Sequence, residues 1–245
     1  MIVTSIEAQT GIDDQEAYLE ETEYLDFSHP ELQKTISRVR GESDRETAVN
    51  IHNFVRDTVR FGWTPDFYAM TASEVMEAAV GYCNTKSTLF VALLRGAGIP
   101  ARQRFVSINA DILEPFVRLP QSYVDHSYTE VYLDERWLRV DSYIPDPRLF
   151  QVAQDHLAIE QRVMGYGVHR RGVNEWNGRR DAFAQYVMGG ETPISDRDYG
   201  VYRDTAAFYA EADRGEKLTG ARRFVLPVAI RFSDRYVRRF VQQPD

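Results

Sequence analysis

Three side chains in this sequence have the types needed for cysteine-based acyl chemistry: Cys83, His126 and Asp141. That chemistry uses a thiolate to attack a carbonyl, an imidazole to move a proton, and a third group to orient the imidazole. Cys83 is the one cysteine in the chain. An internal disulfide is therefore impossible, and a cysteine-built zinc site nearly so. Cys83 follows the helix breaker Gly81 and opens an apolar-periodic run, which puts it at a helix N-terminus. There, unpaired N–H groups and the helix dipole favour an anion. Such a setting plus a histidine lowers a thiol pKa from its usual value of about 8.5. The same placement also suits an inert thiol at the edge of the core.

His126 and Asp141 fall in a hairpin pattern, with strands at 126–133 and 136–143 around Asp134-Glu135. A two-residue turn there pairs Leu133 with Arg136, Tyr132 with Trp137, Val131 with Leu138 and Glu130 with Arg139. Each such pair stabilises its register by roughly 0.2–1 kcal/mol, and a one-residue slip loses them all. In this register His126 and Asp141 are diagonal neighbours on one face, about 7–8 Å apart at the backbone. Their side chains can bridge that gap. A three-residue loop would instead put them on opposite faces.

Other elements must carry these residues. Ser43 and Glu46 have capping-box spacing ahead of Ala48, Ile51, Val55 and Val59, which predicts a helix over 43–60. His52 lies beside that stripe and reads as a structural or surface histidine. An aromatic-rich connection at 61–71 leads to a second capping-box pair, Thr71 and Glu74, and a short helix through Glu77 or Ala78. From Cys83 to Arg95 the pattern is helical, with Leu89, Phe90, Leu93, Leu94 and Ala97 on an apolar face. Gly98-Ile99-Pro100 stops it. Residues 102–108 read as a strand and 109–122 as a loop. Further helices are expected at roughly 151–163, 181–188 and 203–213, and a Pro-interrupted strand at 224–232. The Gly-rich stretch GYGVHRRGVNEWNG at 165–178 lies between the first two. Residues 1–42 read as an acidic extension with one or two short helices and no functional content.

The chain has 245 residues, 43% of them apolar and 12% aromatic, which suffices for a buried core. The expectation is a single domain over 1–245, with a catalytic core at 45–150 and an extension, 151–245, packed on it. Net charge is −8 and lysine occurs only at 34, 86 and 217, so no segment concentrates the positive charge that a nucleic-acid backbone requires. No apolar run approaches the length of a membrane span. The first twenty residues lack the basic and apolar regions of a secretory signal, so a cytoplasmic location is expected.

The block GYCNTKSTLFVALLRGAGIPARQRF at 81–105 combines a Gly-x-Cys helix with a Gly-Ile-Pro-Ala-Arg turn. DHSYTEVYLDERWLRVD at 125–141 combines a histidine strand, a turn and a tryptophan strand. IHNFVRDTVRF at 51–61 and ASEVM at 72–76 precede them. In this order the blocks resemble the transglutaminase-like (transglutaminase/protease-like) superfamily of cysteine enzymes over about 50–145. The resemblance implies an α+β, papain-like fold, with the nucleophile helix packed on an antiparallel sheet and additional C-terminal helices. It implies Cys83 as nucleophile, His126 as general acid/base and Asp141 as its orienter, with no metal or organic cofactor.

Three positions depart from the family pattern. Asp134-Glu135 stands where Asp-Gly is common. Because Glu tolerates positive φ poorly, a turn other than type I′ is expected. Ser127-Tyr128 stands where many relatives have Ala-Trp, and Tyr82 stands where some carry a polar amide. The backbone N–H of Cys83 is the expected oxyanion donor, with Tyr82 or Trp63 as its partner and as substrate-binding residues. The Asp-rich calcium loops of large animal-type transglutaminases are not evident.

The implied function is acyl transfer from an amide or peptide-like substrate through an acyl-thioester, with hydrolysis favoured over amine transfer or cyclisation. Two other readings compete. One is a catalytically inactive binding or scaffold module on the same fold. The other is a metal site built from His126, Asp141 and either His156 or His169. The 165–178 stretch and the C-terminal helices serve either as a substrate lid or, more simply, as a cover for the core.

Overall fold

The computed structural model describes residues 15–64, 70–189, 194–211 and 235–242. The strand expected at 224–232 lies outside them. Helix α1 (Pro30–Val39) buries Leu32 and Ile36. Helix α2 (Asp44–Thr58) is capped by Ser43, whose side chain accepts from the Glu46 N–H. The Glu46 carboxylate turns away from the cap and accepts from the Glu42 N–H at 2.8 Å. Helix α3 (Ala72–Ala78) has a complete capping box between Thr71 and Glu74. These three helices pack around helix α4 (Cys83–Gly96), the centre of the molecule.

The apolar face expected of α4 is only part of its buried surface. Every residue from Asn84 to Arg95 is buried, including Lys86 and Arg95. A helix enclosed on all sides needs apolar residues all round or partners for its polar ones. Phe90 and Leu93 supply the first, at about 1.5–3 kcal/mol for each such fully buried side chain. The polar residues find partners for most of their atoms, Arg95 Nη2 being the exception. Lys86 Nζ donates to Val59 O, Ser87 Oγ bonds Tyr143 OH, and Thr88 Oγ1 donates to Asn84 O. Arg95 Nε donates to Ala101 O and Nη1 to Glu20 O, tying the end of α4 to the following strand and to the N-terminal segment. Gly98 takes a positive φ of 86° and ends the helix as expected.

Strands β1 (Arg60–Phe61) and β2 (Val80–Gly81) form a short parallel pair just ahead of α4. Among the described residues the main sheet is antiparallel and four-stranded. Strand β3 (Ala101–Asn109) pairs along its whole length with β4 (Tyr123–Leu133). Strand β5 (Arg136–Val140) pairs with β4 in the expected register: Leu133↔Arg136, Tyr132↔Trp137, Val131↔Leu138 and Glu130↔Arg139. The turn is of the type judged unfavourable, with φ of 51° at Asp134 and 61° at Glu135. Asp134 is also held from outside the hairpin by an ion pair with Arg45 of α2. The expected Glu130–Arg139 charge pair does not form. Glu130 pairs with Arg102 at 2.6 Å and Arg104 at 3.6 Å on β3, while Arg139 pairs with Asp181 at 2.6 Å. Both charges thus find partners outside the hairpin.

The two faces of the sheet are covered differently. Odd-numbered β4 residues face α4: Ser127 Oγ donates to Ser87 Oγ at 3.3 Å, and Val131 joins the helical core. Tyr128, on the opposite face, packs with Val106, Ile108, Ile112, Met164, Tyr186 and Ile194 in a second apolar cluster. Beyond β5, Met164, Tyr186 and Ile194 join that second cluster, whereas the apolar residues of the next helix and of the 165–178 stretch join the helical core. Helix α5 (Pro147–Ile159) starts earlier than expected, because Asp146 caps it and Pro147 occupies its first turn without loss of a hydrogen bond. The 165–178 stretch contains the end of a two-rung hairpin, β6 (Met164–Gly165) with β7 (Val168–His169). Tyr166, Val168 and Trp176 are buried in the core, so this stretch covers it. The helix expected at 181–188 is absent. That segment is extended and bridges β5 at Val140↔Ala182. Strand β8 (Asp198–Tyr202), unforeseen, edges the sheet, and helix α6 (Thr205–Ala210) is shorter than expected within the described residues.

Candidate active site

Cys83 is the first residue of α4, directly after the cap residue Tyr82. Its N–H therefore lies outside the intrahelical ladder and faces the positive end of the helix dipole. The parallel pair fixes this helix start. Gly62 N–H donates to Gly81 O at 3.0 Å, so the next residues along, Trp63 and Tyr82, both leave the pair at the approach to Cys83. Both are buried, with Trp63 packed edge-on against Phe61. The Tyr82 N–H donates to Thr85 Oγ1 at 3.1 Å, closing the first turn. Cys83 itself is half-buried. Its thiol donates to Asn84 Oδ1 at 3.5 Å, and Asn84 Nδ2 donates to Tyr209 OH at 2.7 Å.

His126 and Asp141 are 2% and 0% exposed, so the partners of His126 decide its protonation. His126 Nε2 lies 3.3 Å from Asp141 Oδ2. Asp141 sits one residue past the last ladder rung, Thr129↔Val140, so its position is not set by strand pairing as the sequence suggested. The extended segment after Asp181 holds it instead. Its Oδ1 accepts from the N–H groups of Ala184 (2.5 Å) and Gln185 (3.2 Å), and Oδ2 accepts from the N–H of Tyr186 (2.7 Å). Its own N–H donates to Ala182 O at 3.0 Å. Burial alone disfavours a charged imidazole. Hydrogen bonds to Asp141 and to Cys83 outweigh it and raise His126 to about 9. With Nε2 committed to Asp141, Nδ1 is the nitrogen left for Cys83. His126 is thus hydrogen-bonded to Asp141, and its electrostatics couple it to Cys83.

The other titratable residues lie outside that chain. His52 is fully buried and bonds Ser142 Oγ at 2.8 Å; burial lowers it to about 3, so it is a neutral structural residue. Desolvation likewise lowers Lys86 to about 7, with Asp146 opposing. His156 stacks obliquely on Phe240, and His169 Nδ1 accepts from the Arg171 N–H at 3.0 Å. Neither joins His126 and Asp141, and among the described residues no group of three or more His, Cys, Asp or Glu could hold a metal ion. Sequence reasoning missed residues 182–186. The visible signal was the alternation of Ala182, Ala184 and Tyr186, a two-residue period that suits an extended chain with one buried face.

The geometry supplies a helix-start thiol, a protonatable imidazole beside it and a buried carboxylate behind the imidazole, the parts of a nucleophilic acyl-transfer site. Residues 33–142 match the family model described as Transglutaminase-like superfamily. A solved structure of a candidate cysteine protease from Cytophaga hutchinsonii aligns with a TM-score of 0.43 at 20% identity, over 53% of this chain and 42% of that one. The chain thus spans less than half the length of that protein. A search of curated proteins gives no match. No helix among the described residues is long and apolar enough to cross a membrane. Cys83, His126 and Asp141 all fall within the segment, residues 33–142, that is similar to the transglutaminase-like superfamily.

Proposed function

We propose that the protein is a cysteine-dependent amide hydrolase acting on a peptide-like substrate through an acyl-thioester. One observation carries this reading: the buried His126 hydrogen-bonds Asp141, and its electrostatics couple it to Cys83 at the start of α4. In the proposed cycle, the Cys83 thiol gives its proton to His126 and Sγ attacks the substrate carbonyl carbon. The resulting oxyanion takes a hydrogen bond from the Cys83 N–H, the free donor of the helix start. His126 gives its proton to the departing amine as the C–N bond breaks, leaving a thioester on Cys83. A water molecule then loses a proton to His126 and attacks the thioester, releasing the acid and restoring the thiol. Water needs no second binding site, whereas amine transfer and cyclisation need a positioned amine, so hydrolysis is the simplest resolution. Trp63 and Tyr82, at the approach to the helix start, are the proposed substrate contacts.

The test is a panel of glutamine, asparagine and peptide amides, with and without a primary amine, read by mass spectrometry of the intact protein. The expected result is a mass added at Cys83, absent in Cys83→Ala, and an acid product. Product carrying the added amine would assign transfer instead. Alkylation of Cys83 with a pH midpoint near the free-thiol value of about 8.5, and no adduct, would identify an inactive module.

A further inference from the structure

Residues 181–186 lie beyond the 33–142 segment that matches the family, yet they touch both groups that stand behind Cys83. We propose that Tyr186 is a positioning residue of the site, holding the His126 ring in the plane from which it bridges Asp141 and Cys83. The proposal rests on the cysteine-enzyme reading. Tyr186 acts with two parts. Its backbone N–H donates to Asp141 Oδ2 at 2.7 Å, the same oxygen that lies 3.3 Å from His126 Nε2. Its ring lies nearly parallel to the His126 ring, at 22° with centroids 6.0 Å apart, and to the Tyr128 ring, at 28° and 5.5 Å. His126 and Tyr128 are alternate residues on one face of β4, so the Tyr186 ring spans both as a flat wall. Phe183 backs that wall, edge-on to Tyr186 at 5.8 Å and to Tyr128 at 5.6 Å.

A wall is needed because the imidazole is otherwise weakly held. The second side-chain torsion of histidine is a broad, soft rotor. A 3.3 Å separation is also long for an N–H···O bond, so Asp141 alone is a weak brake. A flat ring packed on the imidazole makes rotation out of plane costly without occupying either ring nitrogen. The ionisable groups around His126 are Cys83 from α4, Asp141 beyond β5, and the phenols of Tyr128 and Tyr186; His169 of β7 acts on the far side, through Asp141. Replacing the Tyr186 ring by a smaller, apolar non-aromatic side chain keeps an apolar cover over His126. It lets the bonds to Asp141 and Cys83 lengthen. Those bonds favour the charged ring and burial opposes it, so the midpoint falls.

The experiment compares Tyr186→Phe, which keeps the flat ring, with Tyr186→Leu, which fills space without it. Tyr186→Met, more adaptable in packing, is the second variant without a flat ring. Two measurements follow: the NMR titration of the His126 ring proton, assigned by His126→Gln, and the rate of Cys83 alkylation by iodoacetamide against pH. Near-ultraviolet circular dichroism establishes that each variant is folded. Tyr186→Phe is expected to match the wild type. The Leu and Met variants are expected to titrate His126 at least about one unit lower and to alkylate about tenfold more slowly at neutral pH, the factor that one unit carries. Folded Leu or Met variants with the wild-type His126 midpoint overturn the proposal. A wild-type protein whose His126 titrates like a free imidazole, with Cys83 alkylating like a free thiol, overturns the underlying cysteine-enzyme reading instead.

Discussion

Asp141→Asn is the sharpest test of how the site is held, because it changes one oxygen to an NH₂ group and almost nothing in shape. Asp141 accepts from three backbone N–H groups, two at Oδ1 and one at Oδ2, and from His126 at Oδ2. An amide cannot accept at both ends. If its oxygen faces Ala184 and Gln185, its NH₂ meets the Tyr186 N–H, donor against donor. The reverse orientation opposes two N–H groups. At least one buried donor therefore loses its partner, at about 1–3 kcal/mol. The second loss is the negative charge that favours His126 in its protonated form. Raising a histidine from 6.5 to about 9 corresponds to about 3 kcal/mol at about 1.4 kcal/mol per unit.

The pH dependence separates the two losses. His126 has a raised folded pKa, so the native state binds more protons than the unfolded state between 6.5 and about 9. Its stabilisation is fully present below 6.5 and is lost as pH rises through about 9. Urea unfolding of wild type and Asp141→Asn should therefore differ by up to roughly 4–6 kcal/mol near pH 6, Cys83 supplying part of the shift, and by only about 1–3 kcal/mol near pH 10. Lys86 contributes a slope of opposite sign over part of this range, but it is common to both proteins and cancels in the difference. A gap between the two proteins that stays constant from pH 6 to pH 10 would refute the coupling of His126 to Asp141. No gap at all would refute the backbone cradle as well.

Three further substitutions probe the elements that position the site. Lys86 has a depressed folded pKa of about 7 against 10.5, so the unfolded state holds more protons between those values and stability rises with pH there. Lys86→Met should therefore gain stability relative to wild type as pH falls from 10.5 to 7, by up to roughly 4–5 kcal/mol in urea midpoints, less whatever the uncapped Val59 carbonyl costs. Glu135→Gly removes a non-glycine residue from a φ of 61° and should stabilise the hairpin by about 0.5–1 kcal/mol, read as a rise in Tm with no change in Cys83 alkylation. Gly172→Ala would place a Cβ 2.4 Å from Ala184 O, on the backbone that cradles Asp141. It should cost about 1–3 kcal/mol and slow Cys83 alkylation at neutral pH, although residue 172 touches none of the three candidate triad residues.

Features set by local alternation and turn chemistry could be read from the sequence. The β4–β5 register followed from Tyr132, Val131 and their opposite numbers, and the start of α4 from Gly81 ahead of Cys83. The turn type was misjudged on Glu135 alone, because the Arg45 contact that holds Asp134 comes from a helix 89 residues upstream. The enclosure of α4 was hidden by its own composition. Asn84, Thr85, Lys86, Ser87 and Thr88 look like a solvated face, and only tertiary partners such as Val59 O and Tyr143 OH make them residents of the core. Glu130 and Arg139 were correctly placed opposite each other, yet each had a stronger partner on another element.

The error at 181–188 has a different origin. Asp181-Ala-Phe-Ala-Gln-Tyr186 has a capping residue followed by alanines, so local propensity favours a helix. In a helix, however, the N–H groups of Ala184, Gln185 and Tyr186 would be turned to the helix start or its ladder. The Asp141 carboxylate, 0% exposed, would then keep only His126 as a partner. Leaving a buried carboxylate so poorly satisfied costs several kcal/mol, more than the few tenths per residue that separate helix formers from other residues. The segment therefore lies extended, Asp181 spends its carboxylate on Arg139, and three successive N–H groups close on Asp141. The carboxylate proposed to orient the imidazole is thus also what decides the conformation of chain more than forty residues later. On this argument, a fragment ending at residue 142 keeps all three candidate triad residues and loses the groups that hold one of them in place.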